Sequence, residues 1–95
     1  MAVPAQIKVY TTRFCGYCVA AKMLLRKRAA EYEEIDCSSD PAVRMMLVEK
    51  TGQRTVPQIF IDEIAIGGFD ELADLDRMGD LAKILAGEET PEPVL

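Results

Sequence analysis

The chain has 95 residues, of which 49% are hydrophobic, and its 11 basic and 16 acidic side chains leave a formal net charge of −5. That length allows one domain with one modest core, and the negative charge gives nucleic-acid binding no electrostatic support. No apolar run approaches the ~20 residues that a membrane-spanning helix requires. Residues 1–5 lack the basic segment followed by an apolar run that is typical of a secretory signal. We therefore expect a cytoplasmic protein with no nucleic-acid or membrane partner.

The first half of the chain alternates between strand and helix patterns. A strand is predicted over residues 6–11, and a helix from about Gly16 to Ala30. Four apolar residues of this helix recur at helical spacing and are expected to face the core: Val19, Ala20, Met23 and Leu24. A second strand is predicted over residues 32–36, where polar and apolar residues alternate.

The second predicted helix, from Pro41 to Thr51, has signals at both ends. Asp40 is a good N-cap and Pro41 suits the first helical position, whereas Gly52 is placed to end the helix. Three residues of this helix are expected to point inward: Val43, Met46 and Leu47.

A hairpin is predicted in the second half of the chain. Residues 55–61 form an apolar strand that is entered through a proline. Asp62 and Glu63 form a two-residue connection to an antiparallel strand over residues 64–66, although this turn lacks the Asn-Gly or Asp-Gly that favours such hairpins. Gly67 and Gly68 then break the strand.

Two helices are predicted after the hairpin. The first begins near Asp70, and Gly79 interrupts it, so that Asp80 is expected to cap a short last helix. The apolar residues that these two helices carry are Leu72, Leu75, Met78, Leu81, Ile84 and Leu85. Residues 1–87 are therefore expected to form one domain, and residues 88–95, which are mostly polar and contain two prolines, a flexible C-terminal tail.

The element order β-α-β-α-β-β-α-α predicts an α/β fold with a small mixed sheet. The first two strands are joined through a helix, so they should be parallel. The two strands of the hairpin should be antiparallel. The expected product is a four-stranded mixed sheet with helices on both faces.

Cys15 and Cys18 stand with two residues between them, at the point where the first strand gives way to the first helix. In a reducing compartment this spacing and position are typical of a redox site. Cys15 lies beside the free N–H groups and the positive end of the helix dipole. That environment favours thiolate, the form that attacks disulfides. We therefore predict Cys15 as the nucleophile and Cys18 as the resolving cysteine.

Two absences narrow the chemistry further. The chain contains no histidine, which excludes a Cys–His nucleophile pair. It also contains only three cysteines, so one chain cannot complete a four-ligand zinc site from cysteine and histidine. The odd cysteine count argues against a structural disulfide framework. Cys37 lies outside every motif and is interpreted as structural or incidental.

Three segments, residues 9–18, 52–61 and 66–72, together resemble the glutaredoxin family, specifically its dithiol class, here with Cys-Gly-Tyr-Cys. The resemblance runs from about Gln6 to Leu85. Thioredoxin is the nearest competitor, but it usually has tryptophan before the first cysteine and Gly-Pro between the two. The resemblance implies a thioredoxin-like fold with strand order 2-1-3-4 and a groove for glutathione, an anionic tripeptide.

The resemblance implies a set of glutathione-binding residues: Arg13, Tyr17, Arg44, Thr55, Val56, Pro57, Gly68, Phe69 and Asp70. Val56, before a cis bond to Pro57, would pair its N–H and C=O with the cysteine backbone of glutathione. The N–H groups of Phe69 and Asp70 would bind the γ-glutamyl carboxylate at a helix start, and the Asp70 carboxylate would accept from the ammonium group.

Plainer interpretations of several of these residues stay open. Asp70 could be a simple N-cap, Arg44 a solvated helix charge instead of a partner of the glycine carboxylate, and Tyr17 a ring packed on the domain. Many dithiol relatives have lysine where this chain has Thr12. Arg13 either supplies the missing cation or points away.

The resemblance implies glutathione-dependent thiol–disulfide exchange that reduces glutathionylated proteins and small or protein disulfides. Exchange of this kind needs a thiolate, a leaving group and access, not a general base. Glutathione would be the co-substrate, and we expect a monomer. One alternative is a dimer that holds a [2Fe–2S] cluster with Cys15 of each chain and two glutathione molecules, because Gly16 replaces the usual proline. Another is a dedicated electron donor, for example to ribonucleotide reductase.

Overall fold

The computed structural model describes residues 5–93, which form four strands and four helices. In chain order these are β1 (Ile7–Thr11), α1 (Gly16–Lys27), β2 (Glu33–Asp36), α2 (Pro41–Thr51), β3 (Gln58–Ile61), β4 (Ile64–Gly67), α3 (Phe69–Arg77) and α4 (Asp80–Leu85). The element order is the predicted one. No helix formed by residues 5–93 is long and apolar enough to cross a membrane.

The strands form a single four-stranded sheet in the order β2-β1-β3-β4. β1 pairs in parallel with β2 and antiparallel with β3, and β3 pairs antiparallel with β4. The strand pairings predicted from the element order and the strand order implied by the resemblance are both confirmed. β2 and β4 are the two edge strands.

Helices cover both faces of the sheet, as predicted. On one face the core is formed by strand residues and by residues of α1, α3 and α4: Ile7, Val9, Ala21, Leu25, Ile59, Ile61, Ile66, Leu72, Leu81 and Ile84. On the other face α2 packs through Leu47 against Phe60 and Cys37, with Val43 and Met46 partly buried beside them. The inward residues predicted for α2 are thus confirmed.

The predicted core face of α1 was only partly right. Leu24 is partly buried against the core, but Val19 and Met23 are 51% and 61% exposed. The fully buried residues of the helix are Cys18, Ala21 and Leu25. The predicted stripe is therefore displaced around the helix.

Several predicted ends also shift. α1 ends at Lys27, not Ala30, because Ala29 adopts a left-handed φ of 55° and Ala30 N–H donates to Leu25 C=O at 2.9 Å, which closes the helix. β3 begins at Gln58, not residue 55, since Pro57 has no N–H to contribute to a ladder. Met78 is the C-cap of α3 and is 69% exposed, so it does not join the core.

The ends of α2 and the hairpin follow the prediction closely. The Asp40 carboxylate accepts from Val43 N–H at 3.2 Å, and Gly52 ends the helix with a left-handed φ of 72°. Asp62 and Glu63 both have left-handed φ values, 50° and 68°, as a two-residue hairpin turn requires.

The predicted C-terminal tail is only partly exposed. Residues 88–90 are exposed, but Pro91 is buried, so the segment returns to the domain at that residue. Residues 1–4 and 94–95 lie outside the described residues, and the domain boundary at residue 87 stays a prediction.

Candidate active site

Cys15 is the N-cap residue of α1. Its backbone is extended, with φ −112° and ψ 108°, and its Sγ accepts a hydrogen bond from Cys18 N–H at 3.1 Å. A sulfur in this position meets the free N–H groups of the first helical turn and the positive end of the helix dipole. The structure therefore places Cys15 Sγ against the free N–H groups that begin α1.

Cys18 lies one turn further along α1 and differs sharply from Cys15 in exposure. Cys15 is partly exposed, whereas Cys18 is only 2% exposed, and both are free thiols. Burial, with a further contribution from the hydrogen bond to Cys15, raises the pKa of Cys18 to about 12. At neutral pH Cys18 is therefore a neutral thiol behind the accessible sulfur.

The raised pKa of Cys18 predicts a loss of stability in alkali. The pKa of this thiol is about 12 in the folded protein, against an ordinary value of 9.0. The protonated thiol therefore contributes its full stabilisation below about pH 9. That contribution is lost as the pH rises towards 12. The advantage of the wild type over Cys18→Ala should fall by about 1.4 kcal/mol per pH unit above 9. Urea unfolding of both reduced proteins at pH 7 and 10.5 measures this. An unchanged difference would contradict the buried thiol.

A groove of about 490 Å³ opens beside the cysteine pair. Cys15 Sγ lies 3.8 Å from the carbonyl oxygen of Val56, which borders this groove. The predicted residues that line it are Tyr17, Thr55, Val56, Pro57, Gly68, Phe69 and Asp70. The Val56–Pro57 bond is cis, as the resemblance implies. The rings of Tyr17 and Phe69 lie with centroids 6.2 Å apart, so they form an aromatic pair in the lining of the groove.

Two predicted residues are not brought into this groove. Arg13 donates through its backbone N–H to Ser38 Oγ at 2.8 Å and through Nη2 to Ser39 Oγ at 3.1 Å. Arg44 lies in an adjoining groove of about 370 Å³ and donates to the Arg54 carbonyl at 3.2 Å. Val56 borders both grooves, so Arg44 is a neighbour of the first groove but not part of its lining.

A buried polar network behind Val56 was missed from the sequence. The Gln58 side chain is 5% exposed, donates from Nε2 to the Gln53 carbonyl at 2.8 Å and accepts from Thr51 Oγ1 at 3.0 Å. These bonds tie the end of α2 to the start of β3 and thereby fix the intervening loop. The signal was available, because Gln58 is the one polar residue in the run Gln58–Ile61.

The turn between β4 and α3 depends on Gly67 and Glu71, which were also missed. The N-cap of α3 is Gly68, not Asp70, and its N–H donates to Glu71 Oε1 at 2.8 Å. Gly67 has φ 110°, a conformation that other residues rarely adopt. This arrangement leaves Asp70 exposed in the first turn of α3, with its carboxylate free of the capping role.

Phe14, next to the nucleophile, combines a left-handed φ of 58° with a fully exposed ring. A bulky residue in this region is disfavoured by about 1–2 kcal/mol, and asparagine tolerates it better. Phe14→Asn should therefore raise the free energy of unfolding by roughly 0.5–1 kcal/mol, as measured by urea unfolding. Phe14→Ala lacks the short polar side chain that lets asparagine adopt this conformation, so it should gain nothing. Equal stability of the two variants would contradict backbone strain at this position.

Comparison with known proteins agrees with this geometry. The glutaredoxin family model matches residues 7–66. A curated glutaredoxin of Pseudomonas aeruginosa is 42% identical over 80 residues, which cover 84% of this chain and 95% of the relative. The chain belongs to the glutaredoxin family.

Further relatives support the glutaredoxin assignment. Glutaredoxin 3 of Escherichia coli is 40% identical over 81 residues, 85% of this chain and 98% of that protein. The solution structure of glutaredoxin from Brucella melitensis superposes with a TM-score of 0.81 at 38% identity and covers 93% of this chain and 96% of that one. The crystal structure of a buckwheat glutaredoxin–glutathione complex gives a TM-score of 0.79 at 35% identity, over 84% and 76% of the two chains.

Membership of the glutaredoxin family establishes the activity class and the fold family. The fold is the thioredoxin fold, and the protein is a glutathione-dependent thiol–disulfide oxidoreductase with glutathione as co-substrate. The roles of individual residues do not follow from membership alone.

Proposed function

We propose that this glutaredoxin is a dithiol enzyme with Cys15 as the nucleophile and Cys18 as the resolving cysteine. The observation that carries this proposal is the position of Cys15 Sγ, which accepts from a helix N-terminal N–H at 3.1 Å and lies 3.8 Å from the Val56 carbonyl at the groove. The accessible sulfur is thus both stabilised as an anion and directed at the groove.

With a glutathionylated substrate, the Cys15 thiolate attacks the glutathione sulfur. A Cys15–glutathione disulfide forms as the bond between the substrate sulfur and the glutathione sulfur breaks. The substrate leaves as a thiolate, which takes a proton from water. A second glutathione thiolate then attacks the sulfur of the bound glutathione, which releases oxidised glutathione and restores Cys15. With a protein disulfide, Cys15 attacks first, and Cys18 closes the Cys15–Cys18 disulfide as the second substrate thiol leaves.

The groove offers partners for the backbone and for the γ-glutamyl end of glutathione. The N–H and C=O of Val56 pair with the backbone of the ligand's cysteine. The free N–H groups of Phe69 and Asp70, in the first turn of α3, bind the γ-glutamyl carboxylate, and the exposed Asp70 carboxylate accepts from the ammonium group. The neighbouring rings of Tyr17 and Phe69 offer the ligand an apolar surface, and Thr55, Pro57 and Gly68 complete the lining.

The glycine carboxylate of glutathione extends past Val56 towards Arg44 in the adjoining groove. Arg44 is then one cation for that end of the ligand, and it already donates to the Arg54 carbonyl at the rim. Arg13 is held by Ser39, and its part is to add positive potential near Cys15, not to touch the ligand.

We further propose a monomer that works in the cytoplasm, where reduced glutathione keeps the dithiol supplied with electrons, on glutathionylated and disulfide-bonded proteins. Residues 1–87 are then the glutaredoxin domain, and residues 88–95 are a C-terminal tail that returns to it at the buried Pro91. The [2Fe–2S] dimer is not favoured, since no observation on residues 5–93 supports it.

Purified protein should reduce the mixed disulfide of glutathione and hydroxyethyl disulfide in an assay coupled to glutathione reductase. Asp70→Asn removes the charge that faces the ammonium group, so KM for glutathione should rise about tenfold, which corresponds to about 1.4 kcal/mol, with kcat nearly unchanged. Asp74→Asn, one turn further along α3 and outside the groove lining, is the matched control and should behave as wild type. Equal KM values for the two variants would contradict the groove as the glutathione site.

A further inference from the structure

A third depression, of about 390 Å³, reaches both cysteines and shares no lining residue with the glutathione groove. Its lining includes Cys15, Cys18 and several polar residues that neither the glutathione site nor the core explains. These are Thr11, Lys22, Glu34 and Asp36. The depression therefore places fixed charges beside the buried thiol, on a side that glutathione does not occupy.

Lys22 is held in a defined position within this depression. Its Nζ lies 3.0 Å from Glu34 Oε2, and the same carboxylate oxygen accepts from Thr11 Oγ1 at 2.9 Å. Thr11 is 2% exposed and the Lys22 side chain 21% exposed, so the pair is anchored from the interior of the sheet. Lys22 follows Cys18 by four residues on α1, and such residues lie on the same helix face.

The resolving step needs a cation at this place. Cys18 must lose its proton before it can attack, yet burial raises its pKa. The chain has no histidine to act as a base. The backbone of Thr12 and the charge of Lys22 oppose the effect of burial and lower the pKa of Cys18. The other charged groups that line the depression are Arg13, Glu34 and Asp36, and Glu34 is the one that holds Lys22.

We infer that Lys22, held by Glu34 and Thr11, is a positioning residue for the resolving step, in which it stabilises the Cys18 thiolate. This inference rests on the proposed division of labour between Cys15 and Cys18. In that step the Cys18 thiolate attacks Cys15 Sγ of a mixed disulfide, the Cys15–Cys18 bond forms, and the bond from Cys15 to the substrate sulfur breaks. The substrate leaves as a thiolate and takes up one proton, which balances the proton that Cys18 gave to solvent.

Rapid mixing of the reduced protein with oxidised glutathione, followed by acid quenching, alkylation and mass spectrometry, resolves the two steps. Glutathionylation of Cys15 appears first, and closure of the Cys15–Cys18 disulfide follows. In Lys22→Met the ratio of the closure rate to the glutathionylation rate should fall roughly tenfold at pH 7, and its pH profile should move up by about one unit. Lys22→Arg keeps the charge and should restore both.

Lys27→Met is the matched control, since Lys27 is exposed in the last turn of α1 and absent from the lining of the depression. It should leave the ratio and the pH profile unchanged. A purely structural effect of Lys22→Met would lower stability without moving the pH profile and would overturn the inference, as would closure equal to wild type. If wild-type Cys15 becomes glutathionylated but never closes to Cys18, the proposed role of Cys18 fails and this inference fails with it.

Discussion

Replacing Cys15 with serine is expected to abolish disulfide exchange, whereas Cys18→Ser keeps the transfer of glutathione from small and protein substrates. Cys15 is partly exposed, and its Sγ accepts a hydrogen bond from Cys18 N–H at the start of α1. A hydroxyl cannot replace a thiolate nucleophile at this position. We expect Cys15→Ser to lose at least roughly 10³-fold in rate. Cys18→Ser should retain most deglutathionylation but lose the reduction of protein disulfides, because no thiol remains to resolve the mixed disulfide.

Cys37→Ser is the control for this pair of variants. Cys37 is fully buried in the α2 face of the core and donates through its thiol to the Thr11 carbonyl at 3.1 Å. It should therefore keep both activities. The measurements are the coupled assay with a glutathionylated peptide and with a protein disulfide. Equal loss of deglutathionylation in Cys15→Ser and Cys18→Ser would contradict the proposed division of labour.

Gly67→Ala should be the most damaging single change in the groove. Its φ of 110° strains any residue with a Cβ, and that Cβ would overlap the Glu71 carboxylate that caps Gly68 N–H. The loss of this cap loosens the first turn of α3, which borders the groove. We expect a loss of about 2–4 kcal/mol in unfolding free energy and a higher KM for glutathione.

Gly79→Ala separates backbone strain from the loss of the cap. Gly79 also has a positive φ, 85°, but a Cβ there meets nothing within 4 Å, and the residue lies between α3 and α4, outside the groove lining. It should cost only about 1–2 kcal/mol and leave KM unchanged. Urea unfolding and glutathione titration measure both quantities. The same loss of stability and the same KM in both variants would exclude a specific role for the Gly67–Glu71 contact.

Most of the fold could be predicted from local sequence signals. The cap at Asp40 and the left-handed Gly52 delimit α2 through interactions within a few residues, so they could be predicted from the sequence. The buried face of α1 could not. Which face of α1 is buried depends on how the helix packs on the sheet, where the small residues Cys18 and Ala21 lie. The spacing of apolar residues in the sequence does not specify that packing.

The candidate site shows the same division between local and long-range determinants. The positions of the groove residues near Val56 and Phe69 are set by the path of the backbone. Sequence motifs specify that path, so these residues could be predicted. Arg13 and Arg44 have long side chains whose partners, Ser39 Oγ and the Arg54 carbonyl, lie 26 and 10 residues away in the chain. The direction of each side chain depends on these tertiary contacts. The motif therefore predicted the two arginines as candidates but not where their side chains point.

The edge strand β2 has a consequence for self-association. Its residues Glu33, Glu34 and Asp36 are exposed along a strand edge, and an open edge is where two sheets would otherwise join. Hydrogen bonds from Lys22 and from Ser38 lower the pKa values of Glu34 and Asp36 respectively, so both carboxylates keep their charge in mildly acidic solution. Two molecules that approach along this edge bring like charges together, which disfavours the pairing of their sheets through β2.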